Sequence, residues 1–176
     1  MKGALLLLAF VLAAVLVQTW LFPLFWPLPW KPDLFLVLVV YLAFFGDFFR
    51  GALIGFALGC VMDVFGGNAL GLHALVYPAL FFLLRILLSG VNTETLFSFY
   101  YMVAVATCLE VFLLVFLRFF FGGQKGLWGL ATLGLFPQTG LNLLGAFLMV
   151  RLLRVLRRGS GWRADLPGPR VDELGF

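Results

Sequence analysis

The chain reads as long apolar runs separated by short polar or Gly/Pro-rich breaks. A membrane β-strand alternates polar and apolar residues. Runs such as Phe35–Phe45 do not alternate. Their length and continuity predict bilayer-spanning helices rather than strands or a soluble core.

Six spans are predicted. The first runs from Gly3 to Phe22, between Lys2 and a set of aromatics (Trp20, Phe25, Trp26 and Trp30) suited to the headgroup region. Its apolar stretch is too long for a signal peptide, and no small-residue cleavage site precedes the tryptophans, so it is read as a retained helix. Pro23, Pro27, Pro29 and Pro32 then make a connector, because proline lacks an N–H and clashes inside a helix. Asp33 is a helix N-cap candidate.

The second span is Leu34 to Phe45, extendable to Phe49, and the third is Gly51 to Phe65. Both look short for a hydrocarbon core of ~30 Å. Gly46-Asp47 and Arg50-Gly51 mark the turn between them, and Gly66-Gly67-Asn68 with Gly71 the turn that follows. The fourth span, Leu72 to Leu88, holds Pro78, where a kink is expected. The fifth is Phe99 to Phe121. The sixth, Leu127 to Leu153, is expected to be interrupted at Pro137. Residues 1–153 thus form one six-helix transmembrane domain. Residues 154–176 are expected to be a basic, disordered cytoplasmic tail.

Composition agrees with this reading. The 176 residues are 64% hydrophobic and 11% charged, against ~25% charged in an ordinary soluble domain. The distribution of charge sets an orientation. With six spans both termini share a side, and Lys2, Arg50, Arg151, Arg154, Arg157 and Arg158 fall together there, with Arg85 near that face. Lys31, Arg118 and Lys125 fall opposite. The positive-inside rule then puts both termini in the cytoplasm.

Candidate chemistry is sparse. Cys60 and Cys108 lie inside apolar runs and read as small hydrophobes. No zinc spacing, phosphate-binding loop, nucleophile elbow or dinucleotide fingerprint is present, so no catalytic residue, metal site or cofactor is expected. The sharpest signal is a row: Gly51, Gly55, Gly59 and Asp63 recur every four residues. Each step of four turns a helix by ~400°, so the row drifts only ~40° per step. Three glycines in register make a groove that another backbone can enter. That backbone belongs either to a neighbouring helix or to a partner protein. Asp63 continues the row and should face protein, either as a helix-end carboxylate bonded to the Gly66-Gly67-Asn68 turn or as a partner or ion contact.

Glu110, mid-way along the fifth span, is the costliest charge in the chain and requires a partner. His73, Arg85, Gln138 and Asn142, all on other spans, are the candidates for a buried polar network with it. The arginines Arg151, Arg154, Arg157 and Arg158 read as a cytoplasmic patch that grips anionic lipid, each worth ~1 kcal/mol near the surface, or docks a cytoplasmic protein. A cluster pinned at the membrane argues against nucleic acid.

Lys31-Pro32-Asp33-Leu34, Tyr41-Leu42-Ala43 and the stretch Gly51 to Gly59 together resemble the MreD family of bacterial rod shape-determining proteins. The continuation through Asp63, Gly66, Leu70-Gly71-Leu72-His73-Ala74-Leu75 and Tyr77 extends the resemblance, which rests on residues 31–77. It implies a multi-pass protein of the bacterial inner membrane that supports the cell-elongation machinery directing lateral peptidoglycan synthesis. The implied partner is the bitopic MreC protein. More distant ones are RodA with its transpeptidase and the MreB filament. The expected function is therefore that of a non-enzymatic scaffold. The family is also similar in architecture to substrate-binding subunits of energy-coupling-factor vitamin transporters, which supply the alternative expectation.

Overall fold

The computed structural model describes residues 32–66, 71–91, 95–122 and 127–160. The first predicted span and most of the proline-rich connector lie outside the described residues. Five helices are described: α1 Leu34–Phe45, α2 Phe48–Gly66, α3 Leu72–Leu88, α4 Leu96–Gly122 and α5 Leu127–Ser160. The protein is a helical membrane protein. Three of its helices, α2, α4 and α5, are long and apolar enough to cross a bilayer.

Helix α1 is the centre of the bundle. Phe35 to Val40, Leu42 and Ala43 are all buried, and the remaining residues, Leu34, Tyr41, Phe44 and Phe45, are half-buried. Its 12 residues rise only ~18 Å. Its cap, Asp33, sits among Tyr77 of α3 and Thr107, Asn142 and Glu110 from the interiors of α4 and α5. Its last carbonyls, those of Ala43 and Gly46, meet Arg85 near the end of α3. Thus α1 starts inside the bundle and runs to one end of it. A polar helix terminus at that depth is tolerated because it is buried in protein.

The third predicted span is not short. Helix α2 begins at Phe48, and the Gly51 N–H already bonds the Asp47 carbonyl at 2.7 Å. Only Gly46 and Asp47 separate it from α1. Arg50 fits the first turn because its side chain is exposed and paired with Asp47 at 3.4 Å. Two further boundaries differ. Helix α5 continues through Pro137 without interruption. Pro137 removes only the N–H that would have bonded the Leu133 carbonyl, and membrane helices tolerate such a loss. The same helix carries on to Ser160, so Arg154, Arg157 and Arg158 are helical rather than part of a disordered tail. The Arg/Leu/Val run offers no breaker before Gly159. Residues 161–176 lie outside the described residues.

Helices α2 and α3 form the most extensive pair, and α5 returns along α4. The α1–α2 turn, the end of α3 and the start of α4 meet at one end of the bundle, where the Phe44 and Phe99 rings lie 5.5 Å apart. The α5 residues Arg151 and Arg154 run toward that same end, and both are exposed.

Candidate functional site

The glycine row faces α3. Built onto each glycine in turn, a Cβ at Gly51 meets the Phe81 ring, one at Gly55 meets the Tyr77 and Pro78 backbone, and one at Gly59 meets His73 and Ala74. The helices run antiparallel, so each step up α2 is a step down α3. The fit is tightest at Gly59, where an added Cβ would sit 2.6 Å from the Ala74 Cα.

Asp63 completes the row. It is buried, and its two oxygens accept four hydrogen bonds, which saturates a carboxylate. Oδ1 takes the His73 N–H at 2.9 Å and the His73 ring Nδ1–H at 2.8 Å. Oδ2 takes the N–H groups of Gly71 at 2.9 Å and Ala74 at 3.0 Å. These backbone donors are the orphan N–H groups of the start of α3. The local cap position is Gly71, held at φ 93, with no side chain to offer. Asp63 therefore caps α3 from α2, and its negative charge meets the positive end of the helix dipole.

A second network lies deeper. Asp33 caps its own helix through Oδ1, which accepts the Leu36 N–H at 2.9 Å. Its Oδ2 accepts the Tyr77 hydroxyl at 2.8 Å. The Asp33 N–H donates to Asn142 Oδ1 at 2.7 Å, and Asn142 Nδ2 donates to Thr107 Oγ1 at 3.0 Å. Thr107 passes its own hydrogen to the Val103 carbonyl at 2.9 Å. Glu110 lies beside the Asp33 carboxyl. One buried point thus joins α1, α3, α4 and α5.

The expected partners of Glu110 are redistributed accordingly. Asn142 enters the network, but through Asp33 rather than directly. His73 serves Asp63 instead, because it opens α3 next to the end of α2. Arg85 is far along α3 and donates to the carbonyls of Ala43 and Gly46, each at 3.0 Å, closing the end of α1. Gln138 is half-buried, one turn before Asn142 on α5. Sequence reasoning placed Asp33 only as a cap and did not single out Thr107. The available signal was a threonine and an asparagine inside otherwise apolar runs, where an unpaired polar group is costly.

Compared with protein families, residues 2–159 match the rod shape-determining protein MreD. The chain belongs to the MreD family. No curated protein and no solved structure matches it. Membership gives it a role in rod-shape determination, and its apolar helices make it a protein of the inner membrane. The MreD-like motifs between residues 31 and 77 contain Asp33, the glycine row, Asp63, His73 and Tyr77. Those are the residues that build the α2–α3 joint and, through Asp33 and Tyr77, part of the deep network. Their chemistry is packing and capping.

Proposed function

We propose that this MreD-family protein is a non-enzymatic scaffold of the cell-elongation machinery, acting through contacts within the membrane. It has six spans with both termini in the cytoplasm, and its direct partner is a bitopic MreC-like protein. RodA with its transpeptidase and the MreB filament are reached through that assembly. One observation carries the reading. The polar side chains inside the bundle bond to one another and to helix ends, while the outward faces are apolar. Phe112, Phe116 and Phe120 of α4 stack in a partly exposed ladder, with centroids 6.3 and 6.2 Å apart. Leu53, Phe56 and Val64 of α2 are also exposed.

The glycine row is filled by α3, so a partner helix meets these outer faces and not the row. In this reading Gly51, Gly55, Gly59 and Asp63 shape the contact surface by holding the hairpin rigid. The networks around Asp63 and Asp33, with His73, Arg85, Glu110 and Asn142, do the same for the bundle. Arg151, Arg154, Arg157 and Arg158 anchor the cytoplasmic end to anionic lipid.

The test is purification from the native membrane through a tag on this protein. A bitopic coiled-coil protein recovered in stoichiometric amount supports the scaffold. Paired ATPases recovered with a bound vitamin sink it. Photo-crosslinkers at Phe116 and Phe56 should reach the bitopic partner, and one at buried Val40 should not.

A further inference from the structure

The end of the bundle where α1, α2 and α3 meet contains an open cleft of about 590 Å³, lined by Phe44, Phe48, Phe82, Arg85, Ile86 and their neighbours. Its volume lies within the ~300–1,000 Å³ typical of small-molecule sites. Such sites are enclosed, however, and this one is not. Phe48 is 54% exposed and Ile86 69%. An open apolar wall suits an occupant that stays in the bilayer while it binds.

The polar side of the cleft is cationic. The Arg85 guanidinium is half-buried and bonds only backbone carbonyls through two of its five N–H groups. Among the described residues no carboxylate lies within ion-pair distance of it. The carbonyls, and the Phe81 ring whose centroid lies 6.0 Å from the guanidinium carbon, orient the group but carry no formal negative charge. Asp47, the nearest acid in the chain turn, is exposed and paired with Arg50. The cleft therefore combines a cation with no carboxylate partner among the described residues, spare N–H donors and an apolar wall, at the level where helices end and polar residues such as Ser89 begin.

We propose that this cleft binds an anionic glycerophospholipid. Its phosphate sits on the Arg85 guanidinium and one acyl chain lies along Phe82, Ile86 and Phe48. Guanidinium forks match phosphate geometry. The lipid completes the charge balance at the point where Arg85 already ties α3 to the end of α1. It thereby ties the orientation of the central helix to the composition of the surrounding leaflet.

The test compares the purified full-length protein in nanodiscs of phosphatidylglycerol and of phosphatidylcholine with identical acyl chains, reading thermal unfolding and lipid retained by native mass spectrometry. Three substitutions are made at exposed positions. Ile86→Glu places a negative charge in the cleft. Ile86→Gln alters the same wall without charge. Phe97→Glu adds the same charge at the same end of the bundle but outside the cleft, where Phe97 is 78% exposed.

Wild type, Ile86→Gln and Phe97→Glu should all prefer phosphatidylglycerol. Ile86→Glu should lose that preference by roughly five-fold or more in retained lipid, the worth of one arginine at a membrane surface. Its stability in phosphatidylcholine should be unchanged. Equal losses in Ile86→Glu and Phe97→Glu would show a diffuse surface effect and overturn the site. Loss of stability by Ile86→Glu in both lipids would show that protein fills the cleft. A shift reproduced by inorganic phosphate in phosphatidylcholine discs would show an anion site with no use for the lipid chain.

Discussion

Adding one methyl group at successive steps of the glycine row should give opposite results at Gly59 and Gly55. At Gly59 the new Cβ would lie 2.6 Å from the Ala74 Cα, whereas carbon pairs rest at ~3.5–4.0 Å. The obstacle is backbone, so it cannot rotate away, and α2 and α3 must separate by roughly 1 Å. Overpacking of this kind costs ~1–3 kcal/mol. The strain falls on His73 and Ala74, whose N–H groups Asp63 holds, so the cap weakens as well. Against this stands a helix-propensity gain of up to ~1 kcal/mol for Ala over Gly. At Gly55 the nearest atoms to a Cβ are 3.8 Å away, an ordinary contact, and the propensity gain stands unopposed. Gly59→Ala should therefore lose about 1–2 kcal/mol net, and Gly55→Ala should be neutral or slightly stabilised. The larger Gly55→Leu has no such room and should be destabilised. Reversible unfolding in mixed micelles measures all three. The reasoning about register fails if Gly59→Ala is as stable as wild type while Gly55→Ala is weakened.

Asp63→Asn keeps the shape but turns an amide donor toward backbone donors, and should cost roughly 1–3 kcal/mol, read as lower stability and faster hydrogen exchange at the start of α3. Glu110→Gln keeps the shape and offers an amide donor to the Asp33 carboxyl, and should fold nearly as well as wild type. Glu110→Ala leaves a buried cavity beside the Asp33 carboxyl and should lose roughly 2–4 kcal/mol; equal stability of the two variants would remove the contact with Asp33 from the account. Arg85→Leu should fray the end of α1 at a cost of roughly 1.5–3 kcal/mol, seen as exchange of the amides near Gly46. For orientation, cysteines at exposed Asp47 and Ser89 should both be labelled by membrane-impermeant maleimide only after the cells are opened. Labelling of either in intact spheroplasts would reverse the proposed topology.

Much of the architecture was legible because lipid imposes a simple code. A run that is apolar for the length of a bilayer has few alternatives to a helix, so the positions of α2 to α4 and the start of α5 could be read to within a few residues. The glycine row was legible for the same reason, since a four-residue repeat defines one face of any helix. What the row touched was not. Its partner, α3, is recognised only when the two helices lie antiparallel and Gly59 meets the His73–Ala74 backbone. Boundaries failed where an expected breaker was tolerated. Arg50 entered α2 because its side chain reaches out of the bundle, and Pro137 stayed inside α5 because it removes one backbone hydrogen bond from a ladder that otherwise continues.

The polar residues show the division most clearly. By itself the sequence determined that Asp63, His73, Glu110 and Asn142 need partners, because unpaired charge in hydrocarbon is too costly to leave. Only the tertiary structure decided who those partners are. A central helix of 12 residues that starts inside the bundle brings Asp33 to Glu110 and Asn142, and it leaves His73 to Asp63 and Arg85 to the far end. The cost of an unpaired charge is local, and any sequence displays it. Pairing depends on depth and rotation, which are set by how helices far apart in the chain pack together.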